Sequence, residues 1–221
     1  MAIAPREVSV FVNCPFDDDY RSLHDTLVFT IICCGFVPRS SMEPGPTSER
    51  IRRIHALIDD CKYSIHDLSR CRGEGELNFA RFNMPLELGM AMGHAKVGPK
   101  HDWLALALSD TESGRYVSDL LGFDLARYDG TAAELVSKVM SFLLAKEEAA
   151  GDLTPIDVVQ ALPPFENQVR AARVAWFGDT HWPTLLRVAE QCVPAAAPAV
   201  DGSGGSSSDG TVASVDGSSG S

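Results

Sequence analysis

Apolar residues fall along this chain in two kinds of run. Short ones at Glu7–Val12, Phe36–Ser40, Tyr63–Leu68, Trp103–Leu108 and Asp124–Tyr128 read as strands. Between them apolar positions recur at helical spacing. Leu23, Leu27, Ile31 and Cys34 predict a helix from Tyr20 to Cys34, entered from the acids Asp17 to Asp19 and ended at Gly35. Ile51, Ile54, Ile58 and Cys61 predict a second helix, capped by Ser48 after a proline-rich loop over Met42–Thr47. A third runs from Asn83 to Val97 and stops at Gly98-Pro99, and a fourth covers Thr131–Ala149 with Leu135, Val139, Phe142 and Leu143 inward. Strands that are apolar throughout, each followed by a helix, call for a parallel sheet covered on both faces. The expected fold is therefore α/β: a flavodoxin-like, doubly wound, five-stranded parallel sheet, with ligands at the carboxyl ends of its strands.

The pattern changes at Gly151. Thr154–Leu162, Phe165–Phe177 and Trp182–Val193 read as three short helices divided by Pro163-Pro164 and by Gly178. They are too small for a core of their own. The expected organisation is an α/β domain over residues 1–150, a helical extension over 151–198 packed on it, and a disordered Gly/Ser-rich tail or linker over 199–221.

Charge narrows the partners. The 221 residues carry 19 Lys plus Arg against 30 Asp plus Glu, a formal charge of −11, and 45% are hydrophobic. Three of those acids, Asp201, Asp209 and Asp216, belong to the tail, which leaves −8 for the body. Such a body argues against nucleic acid or a membrane surface as the main partner. With neither a charged-then-apolar leader nor a membrane-length apolar run in view, the expected location is cytoplasmic. None of the six cysteines forms a C-x-x-C pair, so neither a zinc site nor a disulfide framework is expected. Cys33, Cys34 and Cys61 read as buried thiols of a reducing compartment.

The stretch Asn83-Met84-Pro85-Leu86-Glu87-Leu88-Gly89-Met90-Ala91 opens the helix after the third strand, behind a long polar loop over residues 70–82. Glu87 is expected in the first turn, where free N–H groups and the macrodipole favour its charged form. Gly89, Ala91, Gly93 and Ala95 leave one side nearly bare, suited to close packing on a sheet or to a ligand. The loops after strands one, three and four share an edge, which gathers Asn13, Phe16, Tyr20, Asp67, Arg70, Asn83 and Glu87 into one rim. Asp67 is read either as a ribose ligand or as the cap of its own loop. Tyr20 and Phe16 are either stacking platforms or packing residues, and Arg70 either a phosphate ligand or a solvated charge. His66 is assigned to the sheet, and His94 to packing.

Three motifs, F-V-N-C-P-F-D-D-D-Y, H-D-L-S and N-M-P-L-E-L-G-M-A, together resemble bacterial TIR-like proteins and the nucleoside 2-deoxyribosyltransferase-like group over roughly Val8–Leu144. In that family a glutamate in E-x-G-x-A is the catalytic carboxylate, and the matching position is Glu87, with Gly89 and Ala91. A Gly-Thr pair usual before it in the deoxyribosyltransferases is replaced by Met84-Pro85, which turns the expectation from base transfer toward glycosidic cleavage. The resemblance implies a nucleotide N-glycosidase, with NAD+ as leading substrate rather than cofactor. It also implies a homo-oligomer and a role in bacterial defence, and the extension over Gly151–Val193 is read either as mediating that assembly or as docking a protein partner. The competing reading is a non-catalytic nucleotide-sensing or oligomerisation module. A receiver domain needs a lysine ending strand five, where only Arg127 stands; a low-molecular-weight phosphatase needs C-x5-R, and Cys14 to Arg21 is one residue too long. A flavodoxin needs a Ser/Thr-rich loop after strand one. All three are set aside.

Overall fold

The computed structural model describes residues 4–43, 49–70, 82–98, 100–109, 120, 122–179 and 181–195. The expected Ser48 cap, Asp110 in the loop after the fourth strand, most of the 70–82 loop and the Gly/Ser tail lie outside the described residues. Five strands, β1 (Ser9–Asn13), β2 (Val37–Ser40), β3 (Tyr63–Asp67), β4 (Asp102–Leu108) and β5 (Ala126–Tyr128), form one sheet in the order β2-β1-β3-β4-β5. Every neighbouring pair is parallel. The fold is α/β and flavodoxin-like, with a C-terminal helical extension. Its order reverses between β1 and β3, the crevice where doubly wound sheets bind ligands.

Side-chain alternation distributes the core. Val10 and Val12 of β1 and Ile65 of β3 join Leu27, Ile31, Leu135 and Val139, which come from α1 (Arg21–Cys33) and α4 (Ala132–Leu143). Phe11 points the other way, onto Ile54, Ile58 and Ala91 of α2 (Arg50–Asp59) and α3 (Asn83–Val97). All five residues of β1 and of β3 are buried; in β3 the polar Ser64, His66 and Asp67 are buried through hydrogen bonds. Gly35 ends α1 at φ 83°, and a Cβ there would stand 2.6 Å from Ala150 Cβ, so the position excludes any side chain.

Predicted boundaries shift where local hydrogen bonds intervene. The first strand begins at Ser9 because Arg6–Val8 closes a tight turn, with Val8 N–H and Ser9 Oγ both donating to Pro5 O. The fourth helix stops at Leu143 rather than Ala149. The residues beyond it turn back so that Lys146 reaches Asp102 and Glu148 accepts from Lys62 and from Tyr63 Oη.

The extension departs further from expectation. Pro163 and Pro164 do not divide it: α5 (Pro155–Val174) runs through both, followed by α6 (Trp182–Cys192). Two prolines remove the donors to Val159 O and Gln160 O, at a cost of about 3 kcal/mol each. Both lie on the exposed face, while Val158 and Leu162 before them and Phe165 and Val169 after them are buried in the core shared with the sheet. Burial on either side offsets the break. Phe165 stacks on Phe29 of α1 with ring centroids 4.4 Å apart, and Arg173 holds Asp25 of α1 by two 2.8 Å contacts. A capping box at Thr154 with Asp157 starts the helix. Phe165→Ala is expected to lower the stability of the whole chain by about 3–5 kcal/mol in one cooperative transition. Denaturant unfolding followed by tryptophan fluorescence and circular dichroism checks this. A separate early transition, with the remainder unchanged, would instead make the extension an appendage.

Candidate active site

A cavity of about 270 Å³ opens at the carboxyl ends of β1 and β3, lined by Asn13 to Phe16, Asn83, Met84, Glu87 and Arg50. The helix α3 begins at Asn83 with Pro85 in its first turn, which places Glu87 in the second turn and leaves no acid in the first. The macrodipole falls off beyond the first turn, so it does not govern this carboxylate. Packing of α3 against α2 buries Glu87 to 4% exposure, and its charged neighbour there is half-exposed Arg50, 3.6 Å away. Burial pushes the Glu87 carboxyl above the usual glutamate range, and Arg50 opposes this without cancelling it. The expectation that position favours its charged form is thus corrected. The bare side does not pack on the sheet: Gly89 and Gly93 look outward into an open cavity beside Met92 and Leu120, where an added Cβ meets nothing within 4 Å, and only Ala91 of that series is buried.

Asn13, the last residue of β1, is 3% exposed and hydrogen-bonded through both amide hydrogens. Its Nδ2 donates to His66 Nδ1 at 2.8 Å and to Met84 O at 3.0 Å, joining β1, β3 and the first turn of α3. His66 must then carry its hydrogen on Nε2, which donates to Ser64 Oγ at 2.8 Å. Ser64 donates onward to His101 Nε2 at 2.9 Å, and His101 Nδ1 donates to Cys61 O at 2.9 Å. Each hydrogen has one consistent place. Full burial holds His66 down to about 3, so its ring remains neutral and Nδ1 remains an acceptor. This relay fixes the floor of the cavity, and Asn13 Oδ1 takes no partner among the described residues.

Four of the seven rim residues therefore meet: Asn13, Phe16, Asn83 and Glu87. Asp67 and Tyr20 do not line the cavity. Asp67 is fully buried, accepts from Tyr20 Oη at 2.6 Å and Tyr128 Oη at 2.7 Å on the same oxygen, and caps its loop by accepting from Ser69 N–H at 2.7 Å. The cap reading of Asp67 and the packing reading of Tyr20 hold. Arg70 faces Asp17 at 3.3 Å and Asp19 at 3.8 Å, pairing with the turn before α1. Cys14 lies in the wall, but burial and the neighbouring Asp67 and Glu87 push its thiol well up, which makes it a poor nucleophile.

Arg50 was missed. The loop after β2 opens on the same edge, so the first residue of α2 belongs to the rim as surely as those after β1 and β3. Among the described residues, no group of three or more His, Cys, Asp or Glu is placed to hold a metal ion, and no helix is long and apolar enough to cross a membrane. The chain matches no protein-family model and no curated protein sequence.

Proposed function

We propose that the protein is a nucleotide N-glycosidase that hydrolyses the nicotinamide–ribose bond of NAD+, with Glu87 as its catalytic carboxylate. One observation carries the reading: a buried carboxylate set in a cavity at the switch point of the sheet, with amides on either side and, among the described residues, no second acid in the wall. The chemistry asks for little more. As the C1′–N bond breaks, its electron pair leaves with the pyridinium nitrogen, which becomes neutral without needing a proton. Positive charge develops on the ribose C1′ and ring oxygen, and water then adds there and releases a proton. A single preorganised anion in a site of low dielectric stabilises that cation, as a through-space partner or as a transient nucleophile. Asn13 Oδ1 and the Asn83 amide are suited to the ribose hydroxyls. The test is nicotinamide release from NAD+ by the purified protein over a range of concentrations, with NADP+ and nucleosides in parallel.

Glu87 acts ionised, so kcat/KM is expected to rise with pH through a limb lying above the ordinary glutamate pKa. Arg50→Ala removes the charge that holds that limb down and is expected to move it to higher pH. A pH profile of both proteins checks the direction; a limb that moves to lower pH would refute the electrostatic account of the site.

The same Arg50–Glu87 contact favours a second reading, because a carboxylate already paired has a structural role. In that case the domain senses a nucleotide without cleaving it. NAD+ then raises the melting temperature and is not consumed.

A further inference from the structure

A larger cavity, about 380 Å³, lies on the other side of Phe16 and is walled in part by the C-terminal extension. Phe16 lines both cavities and is 41% exposed, so the two share one ring as a common wall. Four rings face this second space: Phe16, His24, Trp176 and His181. Trp176 and His181 stack with centroids 3.8 Å apart and planes at 10°, flanking the turn that joins α5 to α6. Phe177 and Gly178 adopt φ 53° and 93°, Arg21 of α1 donates to Gly178 O at 3.0 Å, and the His181 ring is held by Thr184 Oγ1 at 2.8 Å. Trp176 keeps 44% of its surface open.

His24 supplies the second observation. It is 4% exposed, and its Nδ1 faces Asp25 Oδ1 at 3.3 Å. A carboxylate oxygen accepts, so Nδ1 carries a hydrogen, and in the tautomer this sets Nε2 is the acceptor nitrogen. That Nε2 is buried without a partner, a condition folds seldom leave unmet. An acceptor set among aromatic rings is matched by a flat heterocycle bearing an amine. Asp17 and Asp179 on the same wall accept from amines, and the arginine there, Arg21, is engaged by Asp18 and by Gly178 O, whereas Arg50, across Phe16, lines the Glu87 site.

We infer that the extension completes a second base subsite, in which adenine stacks on Trp176 and gives its amino group to His24, so that the substrate is held by both of its bases as a dinucleotide. This rests on the glycosidase reading for the other half of the ligand, and the subsite itself is tested without turnover. AMP is titrated into the full chain by calorimetry. The parent is expected to bind one equivalent, Trp176→Ala to bind about tenfold more weakly, and Trp176→Phe to bind like the parent, since loss of one aromatic stacking partner has about that effect. His181→Ala, which removes the ring beneath, gives an independent weakening should Trp176→Ala fold poorly. In turnover, Trp176→Ala is expected to raise KM for NAD+ about tenfold with kcat within twofold. AMP binding that depends on Trp176, in a protein that leaves NAD+ intact, would uphold the subsite and overturn the glycosidase. NAD+ cleavage with an unchanged KM in Trp176→Ala, and no AMP binding by the parent, would overturn the subsite and uphold the glycosidase.

Discussion

Glu87→Gln is expected to lose nicotinamide release by about 10³-fold while the folded protein becomes more stable. Glutamine keeps the side-chain volume and one oxygen, so the cavity and its contacts with α2 persist. What disappears is the negative charge facing the ribosyl cation, and that charge differentiates the transition state from the bound substrate. The stability change follows from the direction of the Glu87 shift. A carboxyl whose folded pKa lies above its unfolded one binds its proton more tightly in the folded state. Its contribution is fully present below the unfolded pKa and is lost as pH rises through the folded value. At neutral pH the ionised, buried side chain is therefore a burden that glutamine removes. For a chain of this size each 1 kcal/mol corresponds to about 2–4 °C in melting temperature. Turnover and thermal melting are measured on the same preparations. Equal turnover in the glutamine variant would end the assignment of Glu87, and a fall in both quantities would point to a damaged fold instead.

Much of this arrangement is legible in the residues. Apolar runs in β1 and β4 specify buried parallel strands, and the parallel topology fixes which loop ends share an edge, which brings Asn13, Phe16, Asn83 and Glu87 to one cavity. What pattern does not carry is depth and register. With α3 beginning at Asn83, as the pattern predicts, Glu87 is already its fifth residue and lies past the first turn; that it meets the wall of α2 is set by helix packing, which the pattern does not carry. That Asn13 meets His66 follows from the β1–β3 register, which pairs the two directly and which no local signal in either strand encodes. Pro163-Pro164 reads as a break because local propensity is all that a sequence window sees; the stacking of Phe165 on Phe29, 136 positions distant in the chain, overrides it. Arg50 escaped notice for a simpler reason, since the loop after β2 was left out of an edge to which topology assigns it.

Asp67 shows how a residue at the right place in a fold takes a structural task. Asp67→Ala is expected to destabilise the protein by about 3–5 kcal/mol, a large share of the roughly 5–15 kcal/mol that holds a domain folded. The carboxylate is fully buried and satisfies three donors: the hydroxyls of Tyr20 and Tyr128 on one oxygen, and Ser69 N–H on the other. Burial and the Asp67 charge push both tyrosine hydroxyls upward, so they stay protonated and continue to donate. Alanine strands all three donors in the interior, each at about 1–3 kcal/mol. Asp67→Asn separates this role from ligand binding. One amide oxygen still serves the two tyrosines, but the amide nitrogen then meets Ser69 N–H, donor against donor, and a loss of about 1–2 kcal/mol is expected. Were Asp67 instead a ribose ligand, the asparagine variant would keep its stability in denaturant and raise KM for NAD+. Retained stability with a raised KM would return Asp67 to the site, and its tyrosine contacts would then hold a ligand in place rather than close the sheet over α1.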